Sequence, residues 1–138
     1  MISIIDYGLG NVKAFSNIFK MLNVKHEITA NFDAIENSSK LILPGVGSFD
    51  WAMHKLTSSG LKELLDKIVI QKKIPILGIC VGMQLMANES DEGEMKGFGW
   101  IEGKVKKLSA KKEIEILPHM GWNYVGIEKN NLFKDIED

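Results

Sequence analysis

Cys80 is the only cysteine in the chain, and the residues around it are those of a nucleophile. It follows the apolar run 74–77, lies between Gly78 and Gly82, and precedes a segment, residues 83–88, that favours a helix. A sharp strand-to-helix turn exposes the residue at its apex, and glycines leave room where strand and helix crowd. The N–H groups at a helix start also stabilise a thiolate, the reactive form of cysteine. We therefore predict a catalytic Cys80; the alternative is a small buried apolar residue.

A second glycine-rich turn, the Pro44 loop (residues 44–48), gives such a nucleophile a complementary group. Alone, this Pro-Gly-Val-Gly-Ser segment is an ordinary turn after a strand. Glycines on both sides of Val46 leave its peptide free to present an N–H to a substrate carbonyl oxygen. With the N–H of Val81, it would form an oxyanion hole. Gln84 lies one helical turn after Cys80 and hence on the same face; it is either a polar surface residue or a substrate contact.

The elements that must position these residues alternate between strands and helices. Apolar runs predict strands at residues 2–5, 40–43 and 74–79, and residues 24–29 look like a further strand. Amphipathic stripes predict helices at residues 12–22 and 61–68. The pattern predicts an α/β fold, a mostly parallel sheet with helices on both faces. Antiparallel hairpin strands are expected after residue 98, at residues 103–108 and 113–117. The carboxyl ends of parallel strands meet at one edge, so residues 6–11, the Pro44 loop and the Cys80 corner (residues 78–82) should converge.

Composition restricts the classes of function. The 138 residues suit one domain, and a net charge of -1 gives no basic field for nucleic acid. A single cysteine excludes an internal disulfide and a multi-cysteine metal site. No apolar stretch is long enough to span a membrane and no signal peptide is apparent, so a cytoplasmic protein is expected. Gly8 and Gly10 begin a dinucleotide fingerprint, but Lys13 stands where its third glycine belongs.

Four segments together resemble the class I glutamine amidotransferases, whose sheet is flavodoxin-like. They are Asp-Tyr-Gly-Leu-Gly-Asn at residues 6–11, Leu-Pro-Gly-Val-Gly-Ser-Phe at 43–49, Gly-Ile-Cys-Val-Gly-Met-Gln-Leu at 78–85, and Pro-His-Met-Gly-Trp-Asn at 118–123. The Cys80 segment identifies only this wide class. The Pro44 loop and residues 118–123 are more specific, and are similar to the glutaminase subunits of imidazole glycerol phosphate synthases, from histidine biosynthesis. The resemblance extends through essentially all 138 residues.

The resemblance implies a reaction and a partner. Cys80 would attack the side-chain amide of glutamine to give a glutamyl thioester and ammonia. Val46, Gly47 and Val81 would stabilise the oxyanion, and Gly45 and Gln84 would contact glutamine, with no cofactor or metal. Ammonia would pass to a separate (β/α)8-barrel cyclase subunit that makes imidazole glycerol phosphate. The residues expected to face this subunit are Asn11, Pro118, His119, Met120, Trp122 and Asn123.

One departure from the family pattern concerns the catalytic base. In the family it is a histidine in a His-x-Glu motif beyond the segment matched by residues 118–123, and this sequence has no histidine after His119. We therefore expect a single amidotransferase domain without its C-terminal part, which self-associates or is marginally stable. Two alternatives remain open: a truncated paralogue that binds the barrel without hydrolysing glutamine, and an amidotransferase that feeds another acceptor, as in surface-sugar amination.

Overall fold

The computed structural model describes residues 1–108 together with Gly121, Trp122, Tyr124 and Gly126. The chain divides into two units, Met1–Lys107 and Leu108–Asp138. Every helix and strand described below belongs to the first unit. That the whole chain forms a single domain therefore stays a prediction.

The main sheet of the first unit consists of four parallel strands in the order β2-β1-β3-β4. The strands are β1 (Ile2–Ile5), β2 (His26–Thr29), β3 (Lys40–Leu43) and β4 (Ile76–Gly78). The predicted parallel sheet is confirmed, and the first and third strands have the expected bounds. Since all four strands run in the same direction, the residues that follow them lie at one edge of the sheet.

Helices connect the strands across both faces of the sheet. They are α1 (Val12–Met21), α2 (Phe32–Glu36), α3 (Phe49–Ser58), α4 (Leu61–Asp66) with a π-helical turn (Lys67–Gln71), and α5 (Val81–Gln84). The chain steps from β1 to β2 in one direction, and then through β3 to β4 in the other. Right-handed crossovers therefore place α1 on one face and α2, α3 and α4 on the opposite face. None of the helices in the described ranges is long and apolar enough to cross a membrane.

The helix behind Cys80 is shorter than the sequence predicted. We expected it over residues 83–88, but α5 begins at Val81 and ends at Gln84. The carbonyls of Leu85, Met86 and Ala87 accept hydrogen bonds from the amides of residues 98, 101 and 99, which belong to a later part of the chain. Because these carbonyls bind that segment, the helix ends after a single turn.

The core lies between the sheet and the helices α2, α3 and α4. Ile5, Leu41 and Leu43 point from the sheet into this layer, since the strand register places them on one face. The helices contribute apolar side chains that are almost wholly buried: Ile35, Phe49, Ala52, Met53, Leu56, Leu61, Leu65 and Ile68. This layer anchors β3 and α3, and therefore fixes both ends of the Pro44 loop that joins them.

A second, two-stranded sheet includes part of the segment after residue 98, in a pairing that the sequence did not predict. β6 (Lys104–Val105) lies within the predicted strand at residues 103–108 and pairs in parallel with β5 (Glu89–Ser90). The antiparallel hairpin of this segment stays a prediction. Asn88 brings the two strands together, because its N–H donates to the carbonyl of Gly103 and its side-chain oxygen accepts from the Gly103 N–H. The other predicted hairpin strand, residues 113–117, lies outside the described residues.

The sheet face that carries α1 leaves apolar side chains in water. Strand register aligns Ile28, Ile4, Ile42 and Leu77 in one row across the sheet. The two inner residues are buried, whereas Ile28 is 38% exposed and Leu77 is 51% exposed. Exposed apolar patches beside edge strands promote association, so we expect the 138-residue chain to self-associate through this face.

Polar substitution of the two outer residues should weaken this association. Threonine keeps the strand preference and removes apolar surface, so the double variant I28T/L77T should associate at least about tenfold more weakly by sedimentation velocity. Ile101→Thr is the control, because Ile101 is more exposed than either residue but lies in a bend outside the sheet. A chain that is already monomeric before substitution would contradict the prediction.

Candidate active site

Cys80 occupies a sharp turn between β4 and α5, and the residue is exposed. Its backbone angles are φ 56° and ψ -123°, a conformation that residues with a side chain rarely adopt. Such strain costs about 1–3 kcal/mol and persists where the surrounding structure imposes it. The turn presents the thiol beyond the carboxyl end of β4, as expected of a nucleophile rather than a buried apolar residue.

The glycines on either side of Cys80 are required by close backbone packing. A Cβ on Gly78 would lie 2.6 Å from the Cα of Met83, and a Cβ on Gly82 would lie 1.9 Å from the carbonyl oxygen of Leu43. Neither contact can be relieved by rotating a side chain, because the obstructing atoms belong to the backbone. The Gly-x-Cys-x-Gly pattern is therefore explained by packing on both sides of the turn.

The three segments that the sequence predicted to converge are in contact. A Cβ on Gly45 would lie 2.3 Å from the amide nitrogen of Gly82, so the Pro44 loop lies directly against the Cys80 corner. The segment after β1 reaches the same loop, since the Tyr7 hydroxyl donates to the carbonyl of Pro44 at 2.7 Å. The sheet edge thus brings together residues that are far apart in sequence.

Three backbone N–H groups, in the Cys80 corner and in the adjoining Pro44 loop, have no acceptor among the described residues. The amides of Gly82, Met83 and Gln84 all donate to carbonyls of Ile79 or Cys80 within the turn. In the part of the chain that the structure describes, no group accepts the N–H of Val81, Val46 or Gly47. Gly47 also has a φ of +92°, which glycine adopts without strain. These unpaired donors are the groups that an oxyanion beside Cys80 would require.

Gln84 carries an unsatisfied acceptor. Its side-chain oxygen Oε1 is buried, and no donor among the described residues reaches it. A buried oxygen without a donor costs about 1–3 kcal/mol, so a ligand that donates to it would recover that energy. Gln84 is also the last residue of α5, one turn after Cys80, where the sequence predicted a substrate contact.

Neither described histidine is hydrogen-bonded to Cys80. The ring of His26 contacts the Ser16 hydroxyl and the Val24 carbonyl, each at 2.8 Å, so both of its nitrogens have partners. His54 stacks against Trp51 on α3. The third histidine of the sequence, His119, lies outside the described residues.

The residues predicted to face a partner are only partly described. Asn11 caps α1, and its side-chain oxygen accepts from the Ala14 amide at 3.1 Å. That role alone accounts for an asparagine at this position. Trp122 in the second unit is fully exposed. Pro118, His119, Met120 and Asn123 lie outside the described residues.

Tyr7 supports the Pro44 loop, a role that the sequence did not indicate. Burial raises the pKa of Tyr7 to about 12, from 10.0 in an unfolded chain. Below the lower value the hydroxyl is protonated in both states. As the pH rises from 10 to 12, the unfolded state loses this proton before the native state does, so the free energy of unfolding should fall.

The variant Tyr7→Phe should lack this alkaline loss of stability. At neutral pH it should also cost about 1 kcal/mol, because the Pro44 carbonyl loses its donor. Denaturant unfolding at several pH values measures both effects. Tyr124→Phe is the matched control, since Tyr124 is the other tyrosine and is fully exposed. Equal alkaline slopes for all three proteins would contradict the prediction.

A family model for glutamine amidotransferase class-I matches residues 3–137. The chain belongs to this family. The match includes the Cys80 corner and the Pro44 loop, so the recognition made from the sequence is confirmed. Among the described residues, this amidotransferase has no group of three or more side chains that could hold a metal ion.

Individual relatives agree with the narrower resemblance. The chain is 49% identical to the imidazole glycerol phosphate synthase subunit HisH of Leptospira borgpetersenii over 140 residues, which covers 99% of this chain and 69% of that protein. It is 46% identical to HisH of Bdellovibrio bacteriovorus with the same coverage. HisH 2 of Methanococcus maripaludis is 47% identical and covered to 66%. The amidotransferase described here thus spans about two thirds of these relatives.

A solved structure confirms the fold. A crystal structure of a glutamine amidotransferase superposes with a TM-score of 0.65 at 19% identity, covering 76% of this chain and 55% of that one. At this identity the likeness concerns the fold alone. It agrees with the parallel sheet and flanking helices described above.

Proposed function

We propose that this chain is the glutaminase subunit of an imidazole glycerol phosphate synthase, the enzyme of histidine biosynthesis after which its relatives are named. One observation carries the proposal: Cys80 is strained and exposed, and the Pro44 loop, which lies against its corner, has N–H groups at Val46 and Gly47 without an acceptor among the described residues, as the corner has at Val81. Such a constellation suits acyl transfer through a thioester. Membership of the amidotransferase family makes glutamine the acyl donor.

The proposed reaction begins at the thiolate sulfur of Cys80, which attacks the side-chain carbonyl carbon of glutamine. The carbonyl oxygen becomes an oxyanion and accepts hydrogen bonds from the free N–H groups of the Pro44 loop and of Val81. Collapse of the intermediate breaks the C–N bond, and the leaving nitrogen takes a proton and departs as ammonia. Water then hydrolyses the thioester, giving glutamate and restoring the thiol. A general base must take the thiol proton and return it to ammonia; by family resemblance it is the histidine of a His-x-Glu motif.

Two residues are proposed to hold glutamine beside the nucleophile. The buried Oε1 of Gln84 lacks a donor, so the substrate ammonium group is a suitable partner. Gly45 has no side chain and lies against the Gly82 amide, so no side chain at this position obstructs the substrate. Both residues belong to segments that meet at Cys80, and this contact supports their shared role.

A barrel-type cyclase subunit is the proposed partner and ammonia acceptor. Val46 is 55% exposed and Met83 is 52% exposed, so apolar side chains of the Pro44 loop and of α5 remain open to water. A subunit docked at this edge would bury them and would keep ammonia from escaping into solvent. We include Asn11, Trp122 and residues 118–120 and 123 in the proposed interface. No nucleic acid or membrane partner is proposed, and a cytoplasmic location suits this biosynthetic role.

Replacing Trp122 by alanine should weaken binding of the cyclase subunit. Large exposed aromatic side chains often dominate interface energies, so we expect a loss of at least about tenfold in affinity. Isothermal titration of the chain with the cyclase subunit of a relative measures it. Tyr124→Ala is the matched control, because Tyr124 is a second fully exposed aromatic residue two positions away.

The unsubstituted chain should bind the cyclase subunit, and this binding should depend on Trp122. The control Tyr124→Ala should bind within about threefold of the unsubstituted chain, as expected outside a hot spot. No binding of the cyclase by the unsubstituted chain would contradict the assignment of the partner. Equal losses in the two variants would show that Trp122 is not a specific anchor.

A further inference from the structure

Asp50 joins two segments that are separate in sequence. It is the second residue of α3, and its carboxylate accepts two backbone N–H groups of a later loop. Oδ2 accepts from Glu94 at 3.0 Å and Oδ1 accepts from Met95 at 2.9 Å. Each oxygen has its own donor, and hydrogen bonds to a charged acceptor are the stronger kind.

Gly93 makes room for this contact. A Cβ built on Gly93 would lie 2.0 Å from Oδ1 of Asp50 and 2.5 Å from its carboxyl carbon. The backbone at residue 93 therefore approaches the carboxylate more closely than any residue with a side chain allows. The glycine and the aspartate form one fitted contact, which we call the Asp50 clamp (Asp50 with residues 93–95).

The two ends of the Asp50 clamp belong to the two halves of the candidate active site. On one side, α3 starts directly after Ser48, the helix cap that ends the Pro44 loop. On the other side, residues 93–95 follow α5 in the chain, and the amide of Phe98, just after them, donates to the carbonyl of Leu85, the C-cap of α5, at 2.8 Å. The clamp therefore connects α3, which follows the Pro44 loop, to the segment that follows Cys80 and α5.

We propose that Asp50 is a positioning residue, which keeps the Pro44 loop and the Cys80 corner at the separation that glutamine requires. The inference rests on the proposed glutaminase function. The close contact of Gly45 with Gly82 joins the Pro44 loop to the Cys80 corner at the sheet edge. The Asp50 clamp joins them a second time, through α3 and the loop that follows α5. Two separate attachments restrict rotation of one segment about the other, which a single contact does not.

Covalent labelling of Cys80 distinguishes positioning from simple stabilisation. The diazoketone analogue of glutamine requires the aligned site, whereas iodoacetamide requires only an exposed thiol. We define selectivity as the ratio of the two second-order labelling rates, measured on the full chain. Asp50→Ala should lower it about tenfold, because a small misplacement at a reacting centre is costly, while the iodoacetamide rate stays constant. Asp50→Asn keeps one acceptor oxygen and should lose less.

Substitution of Gly93 gives a second test of the Asp50 clamp in the same labelling experiment. Gly93→Ala should lower selectivity as Asp50→Ala does, because the new methyl group displaces the carboxylate. In the double variant D50A/G93A the obstruction is gone, so its selectivity should equal that of Asp50→Ala alone. Asp33→Ala removes the first-turn acid of α2 and is the control, with no expected change. Such non-additivity is the signature of residues that act as a pair.

The results distinguish failure of the positioning role of Asp50 from failure of the proposed glutaminase function. Unchanged selectivity in Asp50→Ala and Asp50→Asn would overturn the positioning role and leave the glutaminase function standing. Additive losses in the double variant would overturn the pairing with Gly93. An unsubstituted chain that shows no preference for the glutamine analogue over iodoacetamide would overturn the proposed function, and the role of Asp50 with it.

Discussion

Replacing Gly82 by alanine is expected to lower the free energy of unfolding by about 3 kcal/mol or more, because the new methyl group meets rigid backbone. Its Cβ would lie 1.9 Å from the carbonyl oxygen of Leu43, an atom that also accepts the Ile79 amide at 3.0 Å. Relief requires β3 or the Cys80 corner to move, and both are held by the buried core. Urea denaturation followed by circular dichroism measures the loss.

A glycine without neighbours serves as the control for Gly82. A Cβ on Gly126 would meet nothing within 4 Å, so Gly126→Ala should change the stability little. Gly82→Ala should also reduce labelling of Cys80 by the glutamine analogue, since the thiol and the Val81 N–H move with the corner. A variant Gly82→Ala that is as stable as the unsubstituted chain would contradict the packing described for this corner.

The 138-residue chain is also expected to react with a glutamine analogue at Cys80 but to hydrolyse glutamine only slowly. The 138-residue chain should be labelled at Cys80 by the diazoketone analogue, which needs the nucleophile and the oxyanion donors. It should release glutamate from glutamine at least about a hundredfold more slowly than a full-length relative with the same cyclase subunit, which is the usual contribution of a general base. The reason is that neither of the two described histidines, His26 and His54, is hydrogen-bonded to Cys80.

This prediction is checked by glutamate release with the cyclase subunit present. Leptospira borgpetersenii HisH is a suitable full-length reference, because it is 49% identical over nearly the whole chain. Cys80→Ala sets the background. Turnover within about tenfold of the reference would show that a base is available, and it would then have to be sought among the residues that follow Leu108.

The sequence predicted the features that depend on local pattern. Three apolar runs predicted three of the four strands, because a strand buried in a parallel sheet carries continuous apolar residues, whereas the second strand has no such run. The carboxyl-edge rule then predicted that the Pro44 loop and the Cys80 corner meet, which the contact of Gly45 with Gly82 confirms. The glycines beside Cys80 correctly indicated crowding at the turn.

The features that the sequence did not predict depend on contacts between distant residues. α5 ends at Gln84 because amides from residues 98–101 bind the carbonyls that follow it. β6 pairs in parallel because Asn88 holds Gly103. The hydroxyl of Tyr7 and the carboxylate of Asp50 support the site through bonds that span 37 and at least 44 positions. No periodicity or short motif encodes such pairs, since each residue alone is ordinary in its own element.

The proposed function requires that Cys80 is a nucleophile that recognises glutamine, and one measurement tests this directly. The chain is treated with the diazoketone analogue of glutamine, and intact-mass and peptide-mapping spectrometry locate the adduct. The predicted result is a single adduct per chain, at Cys80, formed with saturation kinetics and slowed by L-glutamine but not by D-glutamine. Absence of the adduct, or labelling that L-glutamine does not slow, would contradict the role of Cys80 as a glutamine-specific nucleophile.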